Sequence, residues 1–207
     1  MEDAMRALLV GIMIGLSSSS ILFASEAQRL RLQIGHVSSP LELTGTVGLG
    51  ADNALGARIA YERLFTERFG LEVGLASSQH DLTLVIVNGV PRTSSFRMSP
   101  LTLSGTLHVG DSNRVDSYFG AGLAYVTVSD YTPAGSSESI SVDSELTWTV
   151  QYGMDIALGR KQRLSAKKKR WSLGFSVSYM QGEAEAGSLS LPLETVNISA
   201  GVVWQLR

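Results

Sequence analysis

The sequence predicts an all-β fold, an eight-stranded antiparallel transmembrane β-barrel, and three observations indicate it. About eight stretches alternate apolar with polar or small residues, and few stretches have a helical period. Several of these stretches reach about ten residues, the length that a tilted strand needs to cross a bilayer. The positions between the apolar side chains are mostly Gly, Ser, Thr and Ala, which fit the interior of a narrow barrel better than a water-exposed surface.

Residues 1–27 are predicted to be a cleaved signal peptide, which leaves residues 28–207 as the barrel domain. Arg6 precedes an apolar stretch and a serine run, and a small-residue motif predicts cleavage after Ala27. The segment fits the pattern better if translation begins at Met5, because two acidic residues precede it. A membrane-anchor helix is the alternative, but the apolar stretch is short and is followed by serines.

The composition excludes several classes of function. With 207 residues, 44% apolar and 17% charged, the chain is long enough for one domain with a buried interior. A formal charge of −2 at pH 7 provides no basic surface, so nucleic acid is not expected as a partner. Cysteine is absent from the sequence, and His36, His80 and His108 lie far apart in it. No metal site, cofactor or thiol chemistry is therefore predicted.

Four strands are predicted in the first half of the chain, each with an apolar row and a polar or small row. In the first strand Leu30, Leu32 and Ile34 point to one side, and Arg31 and Gln33 point to the other. The four strands are residues 29–36, 56–65, 69–76 and 100–109.

Four more strands are predicted in the second half. The sixth has an apolar row through Trp148 and an opposite row through Asp155. The seventh, WSLGFSVSYM, places every large apolar side chain at an odd position from Trp171 to Tyr179. For the fifth strand we favour the register that turns Phe119 and the odd positions after it towards lipid. The four strands are residues 117–128, 146–158, 171–180 and 196–206.

The lengths of the connections predict which end of the barrel faces the periplasm. Polar links join strands two and three, four and five, and six and seven, whereas the other connections, including residues 77–99, are longer and rich in Gly, Ser and Pro. Outer-membrane barrels have short periplasmic turns and long outer loops. The link at residues 159–170 is the longest of the periplasmic set and is strongly basic, as expected of a solvated turn.

The apolar rows are expected to face lipid. In a soluble β-sandwich, the alternative, the opposite rows would be in water and would carry long charged residues. Closure into a barrel also satisfies the backbone, for which lipid offers no hydrogen-bond partner. An aromatic girdle is predicted at each membrane boundary, with Trp171 and Trp204 at the periplasmic end and Trp148 and Tyr179 at the outer end.

Two motifs resemble those of the OmpW family of outer-membrane proteins. They are YFGAGLAY at residues 118–125 and the T-x-x-aromatic-Gly turn at residues 66–70, and the likeness spans most of the mature chain. The resemblance implies an eight-stranded barrel in the outer membrane of a Gram-negative bacterium that binds or passes small hydrophobic compounds. Two departures are the non-aromatic ending at Leu206 and Arg207 and the long basic link.

Two candidate sites follow from the predicted strand directions. Charged residues on inward rows should pair as a plug in the periplasmic half of the lumen, because isolated buried charge is costly. Apolar residues beyond the outer membrane edge should form a cup for a hydrophobic ligand. The predicted plug residues are Arg31, Arg58, Glu62, Glu72, His108 and Asp155, and the cup residues are Leu82, Leu84, Ile86 and Leu191.

The expected partners are outer-membrane lipid and a small hydrophobic ligand, and the barrel is expected to be a monomer. Alternatives remain open. The charged network only stabilises the barrel or forms a gated polar path, the strands beyond the membrane edge only protrude and pack together, or the barrel is an adhesin whose loops bind a partner. Catalysis is not predicted. The stretch SSQHD offers a hydroxyl, an imidazole and a carboxylate, but Ser77, Gln79 and Asp81 alternate with His80 and should point to the opposite face.

Overall fold

The computed structural model describes only part of the chain, and the predicted signal peptide, apart from Ala27, lies outside that part. At residues 42–43, 47–51, 82–86, 92–94, 170, 183–186 and 189–192 only the backbone is described. The described residues are 27–38, 42–43, 47–51, 53–86, 92–110, 114–129, 144–158, 170–186, 189–192 and 194–206.

Eight long strands form the wall of a closed barrel. Each pairs with its neighbours in antiparallel register, and the last strand pairs with the first, as Leu30 with Trp204, so the wall closes. This confirms the predicted fold. The wall strands are β1 (Gln28–Ser38), β4 (Ala54–Leu64), β5 (Phe69–Ile86), β6 (Arg92–His108), β7 (Val115–Val128), β8 (Glu145–Ala157), β9 (Arg170–Gln181) and β12 (Thr195–Leu206).

Four short strands, which were not predicted, lie at the end of the barrel that carries the longer connections. They are β2 (Glu42–Leu43), β3 (Val47–Ala51), β10 (Glu183–Ala186) and β11 (Leu189–Pro192). We call this the loop end. The opposite end, the termini end, carries the start of β1, the end of β12 and the turn at residues 65–68. In an outer-membrane barrel the end with short turns faces the periplasm.

The outer surface of the barrel is apolar and its interior is polar. Ile34 is 73% exposed and Leu32 is 52% exposed on the outside of β1, whereas Arg31 between them is completely buried. The same alternation holds on β7, where Phe119 and Leu123 face out. Such a surface is the reverse of a soluble protein's and requires lipid around it. The described part of the chain has no helix long and apolar enough to be a membrane span.

The third and fourth predicted strands extend through most of residues 77–99, as the alternative of protruding strands expects. β5 continues to Ile86 and β6 begins at Arg92, so that only a short connection separates them. Both rows of this extension contain polar residues: Gln79 faces out and His80 faces in. The apolar alternation therefore ends before the strands do. The backbone hydrogen bonds between β5 and β6 continue beyond it, and the sequence pattern does not reveal this additional strand length.

Candidate functional site in the barrel lumen

Arg31 lies at the centre of a charged network in the termini-side half of the lumen. One terminal nitrogen donates to Glu72 at 2.8 Å, and the other donates to Glu62 and to Asp155, each at 2.9 Å. The guanidinium carbon lies 4.5 Å from the centre of the Tyr118 ring, a cation–π distance. One buried cation therefore holds three carboxylates from three different strands.

Glu62 and Glu72 need a cation between them because they are direct partners in the β4–β5 register. Like charges in opposite positions on neighbouring strands repel each other. Arg31 bonds one oxygen of each carboxylate. The remaining oxygen of Glu62 accepts a hydrogen bond from Thr106 at 2.6 Å and lies 2.9 Å from His108 Nε2. The remaining oxygen of Glu72 is bonded by Arg58, so every oxygen of the two carboxylates has a partner.

Arg58 closes the network on the side of the loop end. Its Nη2 donates to the second oxygen of Glu72 at 2.6 Å and to Gln151 at 3.1 Å, and its Nη1 donates to Gln33 at 3.0 Å. The Gln151 side chain in turn donates to Glu72 at 2.8 Å. Arg58 is only 10% exposed, so its charge lies within the lumen and is offset there.

Arg29 and His108 close the network on the side of the termini end. Arg29 pairs with Asp116 at 2.6 Å and reaches Asp155 at 3.3 Å. His108 Nδ1 lies 3.0 Å from Asp116 while its Nε2 faces Glu62, so the imidazole bridges two carboxylates from different strands. A protonated imidazole donates to both of them, whereas a neutral one donates to one.

The charges of this network balance when His108 is protonated. Three guanidinium groups and one imidazolium then face four carboxylates, and a neutral imidazole leaves one negative charge in excess. Burial of several charges is tolerated because each has an opposite partner within hydrogen-bond distance. We call this set the charged network: Arg29, Arg31, Arg58, His108, Glu62, Glu72, Asp116 and Asp155.

Aromatic packing completes the filling of the lumen at this level. Tyr118 is completely buried, stacks on His108 with ring centroids 5.4 Å apart, and lies directly over Gly153 of the next strand. A Cβ atom at Gly153 would overlap the Tyr118 ring. Glycine is therefore required at this position by the close approach of the ring.

The structure brings all six predicted plug residues into one network, and it adds residues that the sequence reading missed. Arg29 was missed although it lies on the same face as Arg31, two residues earlier. Asp116 lies one residue before the predicted start of its strand, and its face continues to Tyr118. Arg29 is already the first residue of the predicted strand 29–36, and extending the fifth predicted strand by one residue would have added Asp116.

The four girdle residues form two pairs, one at each end of the barrel. Trp171 and Trp204 stack at the termini end with ring centroids 5.4 Å apart and planes within 7°. Trp148 and Tyr179 meet near the loop end, also at 5.4 Å, and the Tyr179 hydroxyl donates to Glu194 at 2.7 Å. The two pairs lie on the outer side of the wall, one towards each end of the barrel.

A cavity lies in the lumen directly above Arg58, on the side of the loop end. Its walls come from β1, β4, β5, β6, β8, β9 and β12, and they are mostly Gly, Ser, Thr and Ala. We call it the waist cavity. Outside the wall at the same height lies a groove in the apolar surface, lined by Leu32, Ile34, Ile59 and Leu75 among others, and we call it the lipid-facing groove.

The wall between the waist cavity and the lipid-facing groove is interrupted where β5 meets β6. Paired positions are Leu75 with Leu101 and then Ser78 with Met98, so the two residues of each strand between these pairs are not paired. Pro100 lacks a partner on β5, although it pairs with Val126 of β7 on its other side. Proline has no N–H to donate to a ladder. The two hollows share four lining residues at this point: Ala57, Arg58, Ala76 and Ser77.

The predicted cup residues cannot be placed by their side chains. Leu82, Leu84 and Ile86 lie in the backbone of β5 and Leu191 in that of β11, and their side chains lie outside the described part of the structure. The backbone of β5 there pairs with β3 on one side and with β6 on the other. The wall therefore extends well past the girdle at this side of the barrel.

Ser78 and His80 contact each other inside the lumen near the loop end. The Ser78 hydroxyl lies 2.9 Å from His80 Nε2, and His80 stacks on Phe96 with ring centroids 5.3 Å apart. The sequence analysis weighed Ser77 as a nucleophile. Ser78 is the serine that lies on the same face of β5 as His80. Among the described residues, no group of three or more His, Asp or Glu side chains is arranged to hold a metal ion.

Comparison with known proteins gives a family and a fold. The model of the OmpW family matches residues 21–206. No curated protein matches the sequence. Among solved structures, the outer membrane protein OprG from Pseudomonas aeruginosa is 14% identical, covers 89% of this chain and 98% of its own, and superposes with a TM-score of 0.68.

Two further solved structures have the same fold. The outer membrane protein AlkL, determined in lipid bilayers, is 17% identical over 92% of this chain and 94% of its own, with a TM-score of 0.55. Neisserial surface protein A is 14% identical over 86% of this chain and 95% of its own, with a TM-score of 0.54. At these identities the likeness is one of fold.

Proposed function

Because this chain belongs to the OmpW family and lies in the outer membrane of a Gram-negative bacterium, we propose that it takes small hydrophobic molecules into its lumen from outside the cell. The molecules leave sideways into the lipid of the outer membrane. The charged network acts as a plug that closes the direct path to the periplasm. The chain acts as a barrel for uptake and not as an enzyme.

The filling of the termini-side lumen supports a closed lower half. An eight-stranded barrel is wide enough only for its own side chains or for one small ligand. Here the width is occupied by Arg31, by the three carboxylates around it and by the Tyr118 ring, all of them buried. Opening a path would separate several buried ion pairs, which is strongly unfavourable.

The interruption between β5 and β6 is the observation on which the sideways exit rests. At this point the wall lacks pairing, Pro100 has no donor to restore it, and a hollow lies on each side. Parting β5 from β6 at this point breaks fewer ladder hydrogen bonds than parting two neighbouring strands that are paired throughout. A hydrophobic molecule that reaches this level of the lumen therefore finds its least costly exit towards lipid.

Uptake of an apolar dye by whole cells tests this proposal. The fluorescence of N-phenylnaphthylamine rises when it reaches membrane lipid, and intact outer membranes exclude it. Expression of the protein is expected to increase the rate of this rise. Pro100→Val restores a backbone N–H donor, whose hydrogen bond contributes about 1 kcal/mol net. Opening of the wall between β5 and β6 should then be about fivefold rarer. We expect dye uptake to fall by about the same factor.

The matched control places the same new side chain on the neighbouring strand β7, away from the β5–β6 interruption. Ala121→Val lies on the lipid-facing side of β7 and should leave dye uptake unchanged. Entry of nitrocefin, a hydrophilic solute, should stay at background in all strains, because the plug is closed. Native dye uptake by Pro100→Val, at equal amounts of folded barrel, would rule out the sideways exit, and nitrocefin entry would rule out the plug.

Ester hydrolysis by Ser78 and His80 is not part of the proposal. The two side chains are 5% and 1% exposed, and His80 is packed against Phe96. A nucleophile must reach the carbonyl carbon of its substrate at about van der Waals distance. A substrate ester would have to displace this packing to do so.

A further inference from the structure

The waist cavity is more enclosed than the lipid-facing groove, which is open to the surrounding lipid. The cavity has a volume of about 60 Å³. One bound water needs on the order of 15 Å³ by this measure, so the waist cavity holds on the order of four waters. That is room for a small head group and not for a whole hydrophobic molecule.

The two hollows also differ in chemistry. The groove is lined by aliphatic side chains such as Leu32 and Leu75. The lining of the waist cavity is also largely apolar, but hydroxyl groups lie among its side chains, including those of Thr149 and Ser178. A bare hydrocarbon in the waist cavity would displace water from these groups and leave their hydrogen bonds unmade, which costs free energy for each group.

Charge in the waist cavity favours a neutral head group. Among the described residues that line it, Arg58 carries the single formal charge, and Glu72 holds that charge at 2.6 Å. A carboxylate in the cavity would find no unpaired cation there. Asn197 also lines the cavity, but its Oδ1 is packed against Gly35, where an added Cβ atom would lie 2.6 Å from it.

We propose that the transported molecules are small neutral amphiphiles, whose hydroxyl-type head group binds in the waist cavity while the apolar tail lies in the lipid-facing groove. The proposal deepens the function proposed above and rests on it. The two hollows lie on either side of the interruption at Ala76 and Ser77, so that a molecule that passes through the proposed exit can occupy both. The simplest ligands of this class are straight-chain alcohols.

Methionine methyl groups report on the two environments separately. Met98 and Met180 line the waist cavity and are 3% and 6% exposed, whereas Met154 lies on the lipid-facing side of β8. The protein is labelled with ¹³C-methyl methionine, folded in lipid nanodiscs and titrated with 1-octanol, n-octane or octanoate. Met154 reports how much probe has entered the lipid, and each titration is scaled to it.

We expect 1-octanol to shift the Met98 and Met180 methyl signals to saturation at least fivefold more tightly than n-octane or octanoate. A fivefold difference in affinity corresponds to one hydrogen bond that contributes about 1 kcal/mol. Removing polar groups from the cavity by Ser178→Ala with Asn197→Ala should abolish this preference. Ser117→Ala, on the lipid-facing side of β7, should preserve it.

The outcomes separate this inference from the function on which it rests. If n-octane saturates the Met98 and Met180 signals as tightly as 1-octanol, the head-group preference is wrong and uptake of hydrophobic molecules stands. If octanoate binds most tightly, the neutral head group is wrong. If none of the three probes shifts these two signals while Met154 responds, the cavity holds water only and both proposals fail.

Discussion

In the termini-side half of the lumen, long charged side chains fill the bore, whereas in the loop-side half short hydroxyl-bearing side chains leave a cavity. Both halves are enclosed by the same strands and share the boundary residue Arg58. Side-chain length therefore decides which half is closed. Paired charges also require fixed geometry, because each carboxylate must keep its partner, while hydroxyl groups can exchange a neighbour for water at small cost. The comparison thus predicts a rigid half and an adaptable half.

The largest expected effect comes from removing the cation at the centre of the rigid half. Arg31→Met retains the side-chain volume but leaves Glu62 and Glu72, which oppose each other across β4 and β5, without the charge between them. Loss of one partner of a buried ion pair costs about 3–5 kcal/mol. We expect a decrease of this size in the free energy of unfolding, measured by urea titration in phospholipid vesicles with tryptophan fluorescence.

Two further variants sharpen this prediction. Arg68→Met, in the exposed turn between β4 and β5, should change stability by no more than about 0.5 kcal/mol. Arg31→Lys keeps the charge but cannot bond three carboxylates with a planar group, so we expect an intermediate loss. Stability of Arg31→Met equal to the native value would mean that the network does not make this half rigid.

An intermediate effect is expected where the rigid half depends on shape. Gly153→Ala would place a methyl group into the Tyr118 ring, which is held in place by His108 and Arg31. Overpacking of this kind costs about 1–3 kcal/mol. Gly105→Ala is the control, because a Cβ there would be 4.0 Å from its nearest neighbour.

The same titration in vesicles measures both glycine variants. Equal stability of the two would show that the Tyr118 ring can move aside. The termini-side half would then be less rigid than its contacts indicate, and the comparison between the halves would rest on charge alone.

The sequence predicted the inward residues better than it predicted their partners. Alternation along a strand places Arg31 and Asp155 on inward rows, because the side-chain period of a strand is two. That these residues meet, although β1 and β8 are not neighbours in the wall, depends on the stagger of the closed barrel. Alternation carries no information about stagger, so the network could be predicted as a set of charges and not as a set of pairs.

The interruption of the wall was hidden from the sequence for a similar reason. Pro100 was predicted to begin a strand, a position where proline is ordinary. The structure places it in the middle of β6, because β6 begins at Arg92 and β5 continues to Ile86 opposite it. A missing donor matters only inside a ladder, and the ladder extends here through polar residues that lack apolar alternation.

The smallest expected effect comes from replacing one threonine by valine in each half of the lumen. Thr106→Val removes a hydroxyl that donates to the Glu62 carboxylate at 2.6 Å, and Thr149→Val removes one that donates to the Tyr179 carbonyl at 3.1 Å beside the waist cavity. A hydrogen bond to a charged group contributes about 1.5–3 kcal/mol and a neutral one about 1 kcal/mol. Urea titration should therefore show Thr106→Val to be the less stable variant by about 1 kcal/mol, with Thr127→Val on the lipid-facing side as control. Equal losses would mean that the two halves hold their hydroxyl groups equally tightly, and the division of the lumen into a rigid and an adaptable half would be wrong.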